Sequence, residues 1–263
     1  MNRIHSQFQE LRRKRKKALI AFVTAGHPNL STTKELVVAF EKSGVDIVEL
    51  GVPFSDPLAD GATIQASSES ALKKGVSLEH VLQTVQQIRQ KSQIPIALMT
   101  YYNPIFHYGE EKFVKKARSV GVDGVIIPDL PPEEGRHLIH LCRQNGLATI
   151  FFISPTTTKA RLKRIVQAST GFIYAVSIAG ITGTRKQIPQ EIATQIRLVK
   201  RLTKTPVCVG FGISTPEQVK AFAKISDGVI VGSAIVKEIE RNKGKKDCVA
   251  KVASVVKRLI GVL

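Results

Sequence analysis

Glu49 sits inside a short apolar run, 46–50, that reads as a buried strand. An ionised carboxylate there is costly unless it is paired, so Glu49 must be neutral, paired or put to use. Gly51, Pro53, Pro57 and Gly61 follow at once, ending the strand and fixing a shaped loop that carries two more carboxylates, Asp56 and Asp60. A buried acid at the C-terminal end of a strand, followed by a rigid acidic loop, is how a barrel enzyme presents an acid/base pair. The same residues also fit a Glu held by a core Arg or Lys, with the Asp residues merely making turns. The local sequence leaves both readings open.

A second group of residues suits an anion. Gly210-Phe211-Gly212-Ile213-Ser214 and Gly232-Ser233-Ala234 end the last two apolar runs, and Gly183 lies in the loop after the sixth. Glycines there let backbone N–H groups approach a phosphate, and a short helix starting near Ser233 adds its N-terminal partial charge. Glycines that only make tight turns are the alternative. Other chemistries lack their residues. No strand core holds a lysine for a Schiff base, and there is no Gly-x-Ser-x-Gly elbow. His137 and His140 are three apart on a lysine-rich helical segment with no third ligand in view, so they read as surface residues, with no metal. Cys142, Cys208 and Cys248 form no CxxC pair and fit reduced thiols in a cytoplasm. Acid/base chemistry by Glu49 and Asp60 on a small phosphate-bearing molecule remains.

The elements that must position these groups repeat along the chain. Apolar runs at 18–24, 46–50, 95–100, 124–128, 148–153, 172–177, 206–210 and 228–232 read as strands. Helix-period segments fall at 32–43, 78–91, 111–120, 133–145, 159–168, 190–203, 216–224 and 247–260, behind a first helix. Ser31, Ser77 and Ser214 are expected caps, the last in a capping box with Glu217. Eight strands alternating with eight helices predict an α/β fold, a (β/α)8 TIM barrel with an extra N-terminal helix, spanning 1–263 as one domain. A doubly wound sheet is the alternative, weakened by the missing Gly-x-Gly-x-x-Gly after the first strand.

Composition narrows the class. With 263 residues, 43% of them hydrophobic, the chain can bury a sizeable core. No apolar run approaches the roughly 18 residues of a membrane helix. The basic run 12–17 before the apolar 18–23 mimics a signal peptide, but its apolar part is too short, and it reads as a helix end followed by a strand. A net charge of +18 favours acidic partners, yet the Lys and Arg residues are spread out, clustering only at 12–17 and 241–246. With no RNP-like aromatic pattern and no Trp, nucleic-acid binding is not expected.

Several segments carry a resemblance. Val48-Glu49-Leu50-Gly51-Val52-Pro53-Phe54-Ser55-Asp56-Pro57-Leu58-Ala59-Asp60-Gly61, Met99-Thr100-Tyr101-Tyr102-Asn103-Pro104, Ser154-Pro155-Thr156-Thr157-Thr158, Gly180-Ile181-Thr182-Gly183 and Val209-Gly210-Phe211-Gly212-Ile213 resemble the tryptophan synthase alpha chain family. So does the run from Asp123 through Pro128-Asp129-Leu130-Pro131-Pro132, and the likeness covers essentially the whole chain. It implies a (β/α)8 barrel, a carbon-carbon lyase, that cleaves indole-3-glycerol phosphate to indole and glyceraldehyde 3-phosphate for tryptophan biosynthesis. It also implies a beta-chain partner, in an alpha2beta2 tetramer, that receives the indole and alone holds pyridoxal phosphate.

By that resemblance Glu49 transfers the protons, Asp60 bonds the indole N–H, and Tyr174 stands beside the catalytic Glu. Phe22, Thr100 and Ile127 line the indole pocket; Gly183, Gly212, Gly232 and Ser233, with Phe211 beside them, hold the phosphate end; and Thr182 closes onto Asp60. Pro53, Asp56, Asn103, Pro131 and Pro132 belong to the partner surface, and the setting is the cytoplasm. Ala62, where Pro is common, and Ile178 and Ala179 depart from the pattern without touching the acid/base set. Competing readings are a partner-activating barrel with lost catalysis and a sugar-phosphate isomerase. The end of the first strand, Thr24-Ala25-Gly26, lacks the carboxylate that such an isomerase needs.

Overall fold

The apolar runs become eight parallel strands: β1 (Ala18–Thr24), β2 (Ile47–Gly51), β3 (Ile96–Met99), β4 (Gly124–Ile126), β5 (Ala148–Ile153), β6 (Ile173–Val176), β7 (Val207–Gly210) and β8 (Gly228–Val231). They bond in chain order and β8 returns to β1, closing a barrel. The computed structural model describes residues 2–176, 188 and 190–263. Around the barrel stand α1 (Arg3–Lys14), α2 (Leu30–Ser43), α3 (Ala62–Leu72), α4 (Leu78–Arg89), α5 (Tyr102–Tyr108) and α6 (Glu110–Val120). They are followed by α7 (Arg136–Gln144), α8 (Lys159–Ala168), α9 (Gln190–Leu202), α10 (Pro216–Ala223), α11 (Ser233–Asn242) and α12 (Cys248–Ile260).

Alternation along each strand splits the core in two. Ile20, Phe22, Ile47, Ala97, Met99, Ile126, Ile150, Tyr174 and Cys208 point inward and fill the barrel. Leu19, Val23, Val48, Leu50, Leu98, Val125, Val207 and Val229 point outward and join the helices in the larger cluster. All three cysteines are free and buried.

Two helices went unforeseen. Helix α3 (ATIQASSESAL) is rich in Ser and Ala, so its apolar period is faint. Helix α5 has only seven residues and contains Pro104, which its first turn tolerates because an N–H there has no intrahelical partner. Two caps move. Asn29, not Ser31, caps α2, its Oδ1 accepting from Thr32 N at 2.8 Å. The box that opens α10 pairs Thr215 with Gln218, one residue beyond the expected Ser214 and Glu217. Helix α7 starts at Arg136 rather than 133, after the turns around Pro131 and Pro132.

Helix α1 closes the floor of the barrel. Ile4, Phe8 and Leu11 enter the inner cluster, with the Phe8 and Phe172 rings 6.1 Å apart. Its N-terminus is tied to β4 by Asp123, whose side chain is fully buried. That carboxylate accepts from Arg3 at 3.0 Å, Arg89 at 2.8 Å and Ile96 N at 2.9 Å. With the floor sealed, the open C-terminal mouth is left for chemistry.

Candidate active site

Glu49 is an inward residue of β2, level with Phe22 on β1 and Ala97 on β3. It is 1% exposed, and its Oε2 has no hydrogen-bond partner among the described residues. No core Arg or Lys neutralises it, so the alternative of a structural ion pair does not hold among the described residues. Burial, reinforced by the charge of Asp60, lifts its carboxyl to about 8. A group there is protonated at neutral pH and still gives up its proton readily, as acid/base catalysis requires.

Asp60 lies on the loop between β2 and α3. Burial raises its carboxyl, and a hydrogen bond from the Tyr101 hydroxyl opposes that rise. The same hydroxyl accepts from Ala59 N at 2.9 Å, and the Tyr101 ring stacks on Phe54 at 5.2 Å. One buried tyrosine thus holds both ends of the acidic loop. Beyond the loop, Gln65 Nε2 bonds Asp60 O at 2.8 Å, and the Thr24 and Ser67 hydroxyls meet at 2.6 Å, tying α3 to β1. Sequence reading assigned Tyr101 no role, although its place just past β3, at the rim, was a usable signal.

Tyr174 on β6 points inward and is buried between Phe152, at 4.7 Å, and Phe211, at 6.2 Å. Burial first, then the charge of Glu49, drives its hydroxyl well above the usual tyrosine range. Gly210 makes room for it: a Cβ at 210 falls 2.3 Å from the Tyr174 hydroxyl. Gly210→Ala therefore displaces Tyr174, and we expect a fall in kcat of about tenfold or more, read in a steady-state assay of the purified variant.

The other expected site residues divide. Phe22 is buried and inward. Thr100 is buried and donates to Tyr101 O at 3.2 Å. Ile127 is buried too, but it packs with the outer cluster, because it has the outward parity of Val125. The inward residues at this height are Met99 and Ile126, paired across β3 and β4, which strand parity would have revealed. Phe211 and Gly212 both take left-handed backbone, φ 78° at each, turning the chain sharply beyond β7. Beside them Gly232 precedes Ser233, the first residue of α11, so an anion there meets a helix N-terminus. Thr182 and Gly183 lie outside the described residues.

On the same face, Asp56 and Asn103 are exposed and Pro131 and Pro132 half-buried. Pro53, two residues beyond β2, is buried in the chain and shapes the start of that loop. Leu58 and Phe106, large apolar side chains, are exposed nearby in sequence to these loops. His137 is indeed on the surface, but it pairs with Glu110. No cluster able to hold a metal occurs among the described residues.

Residues 8–260 match the model for the tryptophan synthase alpha chain. The chain belongs to the tryptophan synthase alpha chain family. It is 48% identical over 246 residues to the tryptophan synthase alpha chain of Geotalea daltonii, covering 94% of this chain and 93% of that one. The crystal structure of tryptophan synthase subunit alpha from Legionella pneumophila superposes with a TM-score of 0.92 at 38% identity, covering 100% of this chain and 98% of that one. A chain of the tryptophan synthase complex from Pyrococcus furiosus does so with a TM-score of 0.85 at 39% identity, covering 93% and 98%. The (β/α)8 fold with its extra N-terminal helix is thus shared with the family.

Proposed function

We propose that Glu49 carries the protons, and Asp60 the developing charge, in the retro-aldol cleavage of indole-3-glycerol phosphate to indole and glyceraldehyde 3-phosphate. The chain is a carbon-carbon lyase of tryptophan biosynthesis, and its product indole passes to a beta-chain partner. The observation that carries the residue assignment is the buried, unpaired Glu49, held near 8 beside Asp60 at the barrel mouth.

The steps balance with these two groups. Neutral Glu49 gives its proton to indole C3, leaving a carboxylate and a positive charge delocalised to the ring nitrogen. Asp60, facing the N–H, stabilises that charge in a pocket from which water is excluded. The Glu49 carboxylate then takes the proton of the glycerol hydroxyl. The C–C bond breaks, the aldehyde forms, the electron pair returns to the ring, and Glu49 is neutral again. A pKa close to working pH serves both transfers.

Phe22, Thr100, Met99 and Ile126 supply apolar or weakly polar walls near Glu49 for the indole. Backbone N–H groups around Gly212, Gly232 and Ser233 suit the phosphate. The acid/base set consists of side chains alone, and pyridoxal phosphate belongs to the beta chain. Asp56, Asn103, Pro131 and Pro132 form the docking face in an alpha2beta2 assembly, and the chain works in the cytoplasm as one domain. No helix among the described residues is long and apolar enough to cross a membrane.

The test is indole release from indole-3-glycerol phosphate, by the chain alone and with a beta chain added. Release that rises with the partner supports the reading, and no release under either condition overturns it. Asp60→Asn is expected to lower kcat by about 10²-fold or more with KM changed far less, because the lost interaction belongs to the transition state.

A further inference from the structure

Tyr101 and Tyr102 are adjacent at the start of α5, and they reach in different directions. Tyr101 is buried and holds the Asp60 loop through its hydroxyl and its stack on Phe54. Tyr102 belongs to a separate network. Its N–H donates to both oxygens of Asp129, at 2.9 and 3.2 Å, and its hydroxyl donates to Glu110 Oε1 at 2.9 Å. The other oxygen of Glu110 meets His137 Nδ1 on α7. The Glu110 side chain is only 15% exposed, so this pairing is partly shielded from water.

The network spans the face assigned above to the partner. Asp129 precedes the Pro131–Pro132 turn, His137 lies on the helix after it, and Tyr102 opens the helix bearing Asn103 and the exposed Phe106. The Tyr102 and Phe106 rings are 5.9 Å apart. Glu110, which opens α6, and Asp129, ahead of the Pro131–Pro132 turn, thus meet at Tyr102, His137 of α7 joins through Glu110, and one peptide bond separates Tyr102 from the residue that positions Asp60.

We propose that Tyr102, fixed by Glu110 and Asp129, is a positioning residue that couples docking of the beta chain to placement of Asp60. Pressure on the 103–107 segment or the 131–132 turn moves the backbone at Tyr102. Tyr101 shares that backbone and carries the movement to the Ala59–Asp60 end of the acidic loop. The inference rests on the docking face named above. It adds a specific element through which partner binding raises activity, with Tyr102 and Glu110 outside the set that touches substrate. By linkage, whatever couples docking to the active loop also couples substrate binding to docking.

The experiment uses the full chain and a purified tryptophan synthase beta chain, with Tyr102→Phe, Glu110→Gln and the double variant. Indole release is measured for the chain alone and at saturating beta chain. Each variant alone is expected to stay within about twofold of wild type. The activation gained at saturating partner is expected to fall by about fivefold, with the double variant no worse than either single one, since all three break one link. Full activation in the variants overturns the proposal, as does an equal loss without partner, which makes the pair structural. Phe106→Asp separates the two levels of inference. If it leaves beta-chain affinity unchanged, the docking face itself is wrong. If it weakens affinity while Tyr102→Phe and Glu110→Gln keep full activation, only the coupling falls.

Discussion

Glu49→Gln removes indole release while strengthening the fold. The amide keeps the shape of the side chain but cannot exchange a proton, so kcat is expected to drop by roughly 10²–10⁴-fold, the usual worth of a positioned acid/base group. The gain in stability follows from the raised carboxyl. Below its ordinary value of 4.5, Glu49 is neutral whether the chain is folded or not, and the native glutamic acid costs nothing. Between 4.5 and about 8 the unfolded chain releases the proton that the folded chain keeps, so wild-type stability falls as pH rises, and levels off above about 8. Glutamine has no such penalty. The variant should therefore melt at the same temperature as wild type near pH 4 and several degrees higher at pH 8, on the scale of about 2–4 °C per kcal/mol for a chain of this size. Calorimetry at the two pH values, beside the indole assay, checks both halves. An active variant removes Glu49 from the mechanism. A melting temperature unchanged at pH 8 means that Glu49 ionises freely in the folded state.

The largest loss of stability is expected at the opposite end of the barrel. Asp123→Ala takes the only carboxylate from Arg89, whose side chain is 10% exposed and keeps only the backbone carbonyls of Gly121, Ser92 and Ile94 among the described residues. It also removes the acceptor of Ile96 N and one of the acceptors of Arg3, which keeps Gln93. Breaking a buried ion pair by removing one member typically costs about 3–5 kcal/mol, chiefly through the stranded charge. For this chain that is a melting temperature lower by roughly 10 °C. Arg3→Ala should cost much less, because Arg3 is 33% exposed and water replaces part of what it loses. The surface pair Lys115–Glu111 provides the contrast: at 65% and 64% exposure its loss should shift the melting point by less than a degree or two. Denaturant or thermal unfolding of the three variants side by side tests that order. The activity of folded Asp123→Ala at low temperature should stay near wild type, since the floor of the barrel lies away from the mouth.

These two residues also show how much was legible beforehand. Glu49 was visible because a carboxylate in an apolar run, followed by Gly and Pro, breaks the local pattern, and such a break asks for a reason. The strands were visible because their apolar runs are bounded by turn residues, and the ends of β1 and β5 fall at the expected positions. Faint elements were not: α3 lacks a clear apolar period and α5 is too short to show one. Ile127 was assigned to the pocket from its motif, whereas strand parity turns it outward and brings Met99 and Ile126 inside.

The sequence by itself determined the order of elements, the closed barrel they predict and the acid that the chemistry turns on, because periodicity, turn chemistry and a misplaced charge are local properties. Tertiary structure alone decided which groups meet. Asp123 lies 120 residues from Arg3 and 34 from Arg89, and Tyr101 lies 42 from Ala59. Nothing local marks such pairs. They exist because closing eight strands brings distant turns to one rim, and burial there decides which proton stays bound.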